Sequence, residues 1–324
     1  MSEVRYGKAI NRALHDAMTA DPAVVVFGED IAGAGGSFGV TRGLLDTFGP
    51  LRVRDTPISE ATLLSAAVGA ALSGLKPVVE IMFMDFITLG MDALVNQAAK
   101  ARFMFGGQTS VPMVLRTPHG GGLAAGPQHS QCLEAWLAHV PGLKVVCPAT
   151  VADAYGLLRS AILDPDPVIF IEHKALYART GELPDASEAI PIGVAAVARP
   201  GRDVTVVTFG ASLYDALAAA DRLAQRQVEV EVIDLRSLQP WDETAVLASL
   251  ARTHRLVIFH EAVTAYGPGA EIAARLGEIG FDELDAPILR VGAPFMPVPF
   301  APSLEAAYRP TTDELIAAIE RVLA

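Results

Sequence analysis

The sequence predicts an α/β protein made of two doubly wound domains, each built on a mostly parallel sheet. Short apolar runs of strand length alternate with amphipathic or small-residue stretches of helix length almost throughout the 324 residues. That alternation breaks down once, over 176–200, where Gly, Pro, Glu and Asp follow no period, and then it restarts. Half of the chain is hydrophobic, and its 28 glycines and 22 prolines are spread along it, as expected where buried strands are covered on both faces.

The elements follow in order. An amphipathic helix is predicted over 6–20 and a buried strand over 23–28. A short strand covers 51–54. The helix over 61–75 is so rich in Ala, Gly and Ser that it must approach a neighbour closely. Strand 77–83, helix 92–105 and strand 111–116 come next, then helix 132–139, strand 143–147, helix 151–163 and strand 168–172. After the aperiodic stretch, strands at 204–209, 228–234, 256–259 and 288–291 alternate with helices at 212–225, 242–251 and 269–279. A last helix over 312–323 follows a proline-rich run from 294 to 310. This organisation places a first domain at 1–185, a linker at 186–200 and a second domain at 201–324.

Charge and cysteine usage narrow the function. A net charge of −12 argues against nucleic-acid binding, which needs a concentrated basic face. Cys132 and Cys147 form no CxxC pair and no disulfide framework, so two thiols in a reducing cytosol are expected. The first eleven residues are charged and polar, unlike a secretory leader, and no apolar run reaches the ~20 residues of a membrane span. A cytoplasmic protein with no membrane and no nucleic-acid partner is the expectation.

Three motifs fail on named residues. Counted from Gly33, the third glycine of a dinucleotide fingerprint would fall on Phe38, whose ring blocks close helix–strand packing. His260-Glu261 opens like a zinc-protease helix, but the second histidine position is Thr264. Ser130 sits in no G-x-S-x-G elbow.

One constellation survives. In Asp55-Thr56-Pro57-Ile58-Ser59-Glu60 a strand end runs through an extended pre-proline turn into a helix, with Ser59 a good N-cap and Glu60 at the turn. By itself Glu60 also fits as a complement to the helix dipole. In Gln128-His129-Ser130-Gln131 an imidazole follows a loop holding Gly120, Gly121, Gly122 and Gly126, where backbone approaches a ligand easily. His129 by itself also fits as a cap or a gap-filling polar group. Arg116, at a strand end, is expected to anchor that loop. Glu60, Phe86, Arg116 and His129 are all placed outside the carboxyl ends of strands, where open parallel sheets bind ligands.

In these segments the chain resembles the beta subunit of the thiamine-diphosphate-dependent first component of 2-oxo acid dehydrogenase complexes, of the pyruvate and acetoin type, a transketolase-like family. Besides the two segments above, the resemblance rests on Gly28-Glu29-Asp30, Asn96-Gln97-Ala98-Ala99-Lys100, His139-Val140-Pro141-Gly142-Leu143-Lys144-Val145-Val146, Asp164-Pro165-Asp166-Pro167-Val168-Ile169 and Val232-Ile233-Asp234-Leu235-Arg236. It covers essentially the whole chain. It implies that Glu60 hydrogen-bonds the pyrimidine N1′ of thiamine diphosphate and that Phe86 packs on the aminopyrimidine ring. Ile58, Met82 and Glu29 are implied around the cofactor, Glu29 in a tunnel between sites. His129 is implied to orient intermediates and handle protons during transfer to lipoamide. A potassium site is implied at Met113, Ala161, Ile162, Asp164 and Asp166, largely through backbone carbonyls.

The family's diphosphate and magnesium motif belongs to an alpha chain and is absent from this sequence. The implied assembly is therefore two alpha and two beta subunits, with thiamine diphosphate shared between them and magnesium held by alpha. The second domain would pair the beta chains and dock a lipoyl-bearing acyltransferase core. Asp92-Ala93 stands where many relatives have Asp-Gln, and Met82 where branched-chain enzymes have Gln, which favours a small substrate. Pyruvate leads, acetoin and then branched-chain 2-oxo acids follow, and a non-catalytic scaffold subunit is the reading from another class.

Overall fold

The computed structural model describes residues 2–183 and 189–324. The chain forms two compact units, one taking in the chain up to His119 and Trp136–Ile192, the other Gly120–Ala135 and Gly193–Ala324. The segment carrying the glycine-rich loop and His129 thus groups with the second unit, although it lies within the first domain of the sequence division. The expected boundary at 185/186 falls outside the described residues.

In the first unit the strands are β1 (Ser2–Arg5), β2 (Val24–Gly28), β3 (Val53–Asp55), β4 (Lys76–Glu80), β5 (Val114–His119), β6 (Lys144–Val146), β7 (Val168–His173) and β8 (Thr180–Leu183). The helices are α1 (Tyr6–Ala20), α2 (Leu44–Phe48), α3 (Glu60–Leu72), α4 (Ala99–Met104), α5 (Glu134–Ala138), whose first two residues group with the second unit, and α6 (Val151–Leu163). Six strands run parallel in the order β6-β7-β5-β4-β2-β3. From β2 the chain winds outward to β3, then returns to β4 on the other side, so the winding reverses between β2 and β4. Such a reversal opens a crevice at the strands' carboxyl ends. Strands β5 and β7 are buried along their whole length, which is why they read as apolar runs rather than alternations.

Differences from the sequence expectations have local causes. The predicted helix over 92–105 is a wide π-turn segment, Ala93–Ala98, followed by α4. Its junction lies where the turn at Gly142 comes close, since a methyl there would sit 2.0 Å from the Ala99 carbonyl oxygen. The helix predicted over 132–139 is the shorter α5. Inside the aperiodic 176–200 stretch, β8 pairs antiparallel with β1. Four-residue strands are too short to display a period.

The second unit contains β9 (Ala196–Arg199), β10 (Val204–Thr208), β11 (Val230–Asp234), β12 (Ser237–Gln239), β13 (Leu256–Val263) and β14 (Leu289–Ala293). Its helices are α7 (Ser212–Ala224), α8 (Glu243–Thr253), α9 (Pro268–Ile279), α10 (Pro302–Tyr308) and α11 (Thr312–Leu323). The main sheet has the order β14-β13-β10-β11-β9, with β9 antiparallel and the rest parallel. Here the winding reverses between β10 and β13. Helix α10 lies in the run expected to be irregular, because Pro302 occupies the first turn, where its missing N–H costs nothing.

Candidate active site

The reversal point of the first unit gathers most of the predicted residues. Glu29 directly follows β2, Glu60 opens α3 just beyond β3, and Met82 and Phe86 follow β4. The main chain ties these ends together, with Thr56 N–H donating to the Gly28 carbonyl at 2.9 Å. Asp55 accepts the amides of Ala32 and Gly33 at 2.6 and 3.1 Å, so the glycine-rich run after β2 is held as a structural loop.

Glu29 and Glu60 are 3% and 5% exposed, deep enough that neither carboxylate is a solvated surface charge. Burial pushes the Glu29 carboxyl above its ordinary value, and the nearby Glu60 charge adds to it, against a backbone hydrogen bond from Ser59. Glu29 Oε1 has no hydrogen-bond partner among the described residues. A buried oxygen left in this state costs roughly 1–3 kcal/mol, which marks a place where a ligand group would complete the site. Ser59 is at the N-cap position of α3, but its hydroxyl meets Thr62 Oγ1 at 2.9 Å instead of capping the helix.

Aromatic rings wall this edge. Phe86 and Phe83 meet edge to face at 5.9 Å, and Phe38 meets Phe83 at 6.0 Å. Phe38, the residue that spoiled the dinucleotide motif, stacks on Tyr177 at 4.8 Å. The Lys174 ammonium lies 5.2 Å from the Phe83 ring centroid. Phe86 and Met82 are half-buried, while Ile58 is 80% exposed and reaches outward. Beside the pair, a cavity of about 510 Å³ opens between β3 and the small-residue face of α3, lined by Thr56, Pro57, Ser59, Thr62, Ala66 and Ala70 among others. Glu29, Glu60 and Phe86 do not line it.

Beneath the edge lies a buried ionic knot that the sequence reading missed. Arg116 donates to Glu80 at 2.7 Å and to both oxygens of Glu172 at 2.7 and 2.8 Å, and the Tyr177 hydroxyl donates to Glu172 at 2.6 Å. Arg116 is 1% exposed and sits within β5, so it ties β4 to β7 and does not anchor the glycine-rich loop as expected. Burial opposes the guanidinium charge, but Glu172 and Glu80 more than offset it and hold it above its ordinary value. The signal was available: an arginine inside an apolar strand demands buried acceptors. Also unforeseen, His119 and His173 end β5 and β7 with their rings 5.2 Å apart.

His129 stands in the other unit, on the segment Gly120–Ala135, half-buried, its amide donating to the Gly126 carbonyl at 3.3 Å. The implied potassium residues fall at the amino end of β5 and at the turn after α6. The Met113 carbonyl accepts from Val168 N–H at 3.0 Å, and the Ala161 carbonyl from Asp164 N–H at 3.3 Å. Ile162 is buried in the last turn of α6. Asp164 takes the Lys144 ammonium at 2.6 Å, and Asp166 takes Arg102 at 2.5 Å. Both carboxylates already have cationic partners, which leaves main-chain carbonyls as the donors for any ion there.

Two mostly parallel α/β units, matched in order by the two domain models of transketolase, place the chain in the transketolase class. The pyrimidine-binding domain model of transketolase matches residues 2–180, and the transketolase C-terminal domain model matches residues 193–315. A solved split-gene transketolase, described as an inactive beta4 tetramer, shares the fold with a TM-score of 0.82 at 22% identity, covering 99% of this chain and 98% of that one. Among curated relatives, the beta subunit of acetoin:2,6-dichlorophenolindophenol oxidoreductase from Bacillus subtilis is 47% identical over 95% of this chain and 94% of its own. Subunit beta-2 of the mitochondrial pyruvate dehydrogenase E1 component from Oryza sativa is 44% identical over 98% and 86%. The E1 beta subunit of Rhizobium meliloti is 42% identical over 99% and 70%. The chain belongs to this family of pyruvate and acetoin dehydrogenase beta subunits.

Proposed function

We propose that this chain is the beta subunit of a pyruvate-oxidising first component, active with an alpha subunit and passing the acyl group to lipoamide. The observation that carries the reading is the buried Glu29–Glu60 pair at the reversal point, with an unsatisfied Glu29 oxygen and with Phe86 following β4, the strand paired with β2. These groups fit an aminopyrimidine: Glu60 would hold its ring nitrogen, Phe86 would support its face, and Glu29 would offer the second carboxyl. Thiamine diphosphate, when bound, supplies the electron sink for breaking the bond next to the carbonyl. The protein's part is to orient that ring, exclude water with the Phe38, Phe83 and Phe86 rings, and hold a proton at Glu60. His129 would manage protons on the substrate side.

The diphosphate and magnesium are assigned to the alpha subunit, and the expected assembly is two alpha and two beta chains. The second unit would supply the beta–beta contact and the docking face for the acyltransferase core. A cytoplasmic location is part of the proposal; among the described residues no helix is long and apolar enough to cross a membrane. A potassium ion on the carbonyls of Met113, Ala161, Ile162, Asp164 and Asp166 is part of the proposal. Thermal melts in potassium against sodium chloride at equal ionic strength test it, with a higher midpoint in potassium expected and equal midpoints counting against it.

Acetoin cleavage is the second reading, favoured by the 47% identity to the Bacillus subtilis subunit. Dye-linked oxidation of pyruvate, acetoin and branched-chain 2-oxo acids, by this chain with an alpha subunit and by this chain alone, separates the readings. Turnover is expected only in the mixture, and the preferred substrate decides between pyruvate and acetoin. Glu60→Gln should abolish turnover in the assembled enzyme without changing its size in solution. Normal rates in that variant would remove the role assigned to Glu60.

A further inference from the structure

The loop that carries His129 is clasped along its length by the last part of the chain. Glu261, in β13, accepts the Gly121 amide at 2.5 Å. Glu305, in α10, accepts the Ala124 amide at 2.9 Å. Both carboxylates are buried, at 9% and 4% exposure. Arg309, one residue past α10, donates to the far oxygen of Glu261 at 3.1 and 3.2 Å, fixing the direction in which that carboxylate points. The Phe300 ring lies over Gly126 so closely that a methyl there would come within 2.2 Å of it.

The loop needs these acceptors. Ala124 holds a left-handed φ of 54° without being glycine, and Gly120, Gly122 and Gly126 are also left-handed, with φ between 76° and 96°. A loop of this kind has little rotational restraint of its own and samples other conformations unless its amides are captured. Downstream of His129 the backbone is again fixed, with Ser130 and Glu134 both buried. Tyr308, at the end of α10, lies near Cys132, and burial with the charges of Cys132, Glu261 and Glu134 pushes its hydroxyl up to about 12. His129 is therefore a half-buried residue of a segment whose amides are clasped before it and whose Ser130 and Glu134 are buried after it.

We propose that Glu305 and Glu261 are positioning residues for the reaction, holding the Gly121–Gly126 loop so that the His129 imidazole is presented in one orientation. The proposal rests on the role given to His129 above. Two buried carboxylates aimed at two loop amides, one of them also held by Arg309, are what a rigid mount requires. A misplacement of about 1 Å in a group that handles protons costs on the order of 100-fold in rate.

The test uses the alpha–beta enzyme with Glu305→Ala and Glu305→Gln, each made with His129 intact and with His129→Ala. With His129 present, Glu305→Ala should lower kcat by about tenfold or more, while KM for thiamine diphosphate and the thermal midpoint stay near wild type. Glu305→Gln should restore most of the rate, because its amide oxygen accepts the same Ala124 N–H. In the His129→Ala background, Glu305→Ala should cost nothing further, since residues that act as a unit are not additive. If Glu305→Ala does not assemble, Glu305→Asp, which keeps the charge and shortens its reach, must show the same loss in kcat. Wild-type kcat in the assembled Glu305→Ala enzyme, or an equal loss with and without His129, would overturn the proposal. Wild-type turnover in His129→Ala alone would instead bring down the role of His129, and the clasp's function with it.

Discussion

The two reversal points of the molecule are built alike and finished differently. In the first unit, the crevice between β2 and β4 ends in two buried carboxylates, one with an unsatisfied oxygen. In the second, the corresponding place between β10 and β13 is filled by His260, 0% exposed and satisfied on both ring nitrogens. Its Nδ1 donates to the Ala262 carbonyl at 3.1 Å and its Nε2 accepts from Gly269 N–H at 3.3 Å, so it is the neutral Nδ1–H tautomer. Phe209 stacks on it at 5.8 Å, and methyls at Gly267, Gly269 or Gly292 would come within 2.7–3.1 Å of its ring. The same topology makes a crevice in both units. In the first the unsatisfied oxygen belongs to a carboxylate, whereas at the end of β10 it is the neutral hydroxyl of Thr208, and a buried carboxylate oxygen is the costlier of the two to leave without a ligand.

The comparison can be broken most directly at Arg116. Arg116→Met would strand Glu80 and Glu172, at 5% and 0% exposure, and should destabilise the first unit by about 3–5 kcal/mol in denaturant unfolding. A loss below about 1 kcal/mol would mean that the knot is not what supports the crevice floor. Two glycines sharpen the contrast. Gly269→Ala places a methyl 2.7 Å from His260 Nε2, and Gly90→Ala places one 2.2 Å from Leu64 and 3.1 Å from the Glu60 carbonyl oxygen. Each should cost about 1–3 kcal/mol of stability. In turnover assays only Gly90→Ala should lower kcat beyond what reduced folding explains, because it alone displaces the start of α3. Equal effects of the two on kcat would erase the distinction between an open and a sealed crevice.

A smaller effect serves as a control away from both crevices. The capping box of α11, in which Thr311 and Glu314 satisfy each other's backbone amides, should be worth about 1 kcal/mol. Thr311→Ala should lower the melting temperature and leave kcat intact.

The two crevices also tilt stability with pH in opposite senses. Glu29 is raised by burial and by Glu60, so the native state holds its proton more tightly. Its contribution is complete below the ordinary glutamate value of 4.5 and is lost as pH rises through the raised value. His260 is lowered, chiefly by burial, with Glu134 opposing and Arg290 assisting the shift. Its contribution is complete above 6.5 and is lost as pH falls through the lowered value. Melts across pH should show Glu29→Gln gaining on wild type as pH rises. A variant that runs parallel to wild type at every pH would show that Glu29 does not titrate differently on folding.

Much of this was legible in the chain. Helix α1 was predicted over 6–20 and is Tyr6–Ala20, because its apolar positions recur with helical spacing over four turns. Glu60 was placed at a strand end by the turn residues before it and Phe86 by following the strand predicted over 77–83; in the structure they follow β3 and β4. Arg116 was misread, since one residue in an apolar strand reveals that it needs acceptors but not which ones. Glu80, Glu172 and Tyr177 come to it from 36, 56 and 61 positions away in sequence. Glu261 and Glu305 were invisible for the same reason, lying 140 and 181 residues from the amides they accept.

The sequence by itself determined the fold class, the longer elements and the family, because hydrophobic period and turn chemistry act over a few residues and survive without knowledge of the partners. Tertiary structure decided which crevice is open, which charges neutralise one another, and which unit carries His129. Those outcomes depend on burial and on pairs formed across the sheet, where desolvation sets the value of every polar group and no local pattern records the partner.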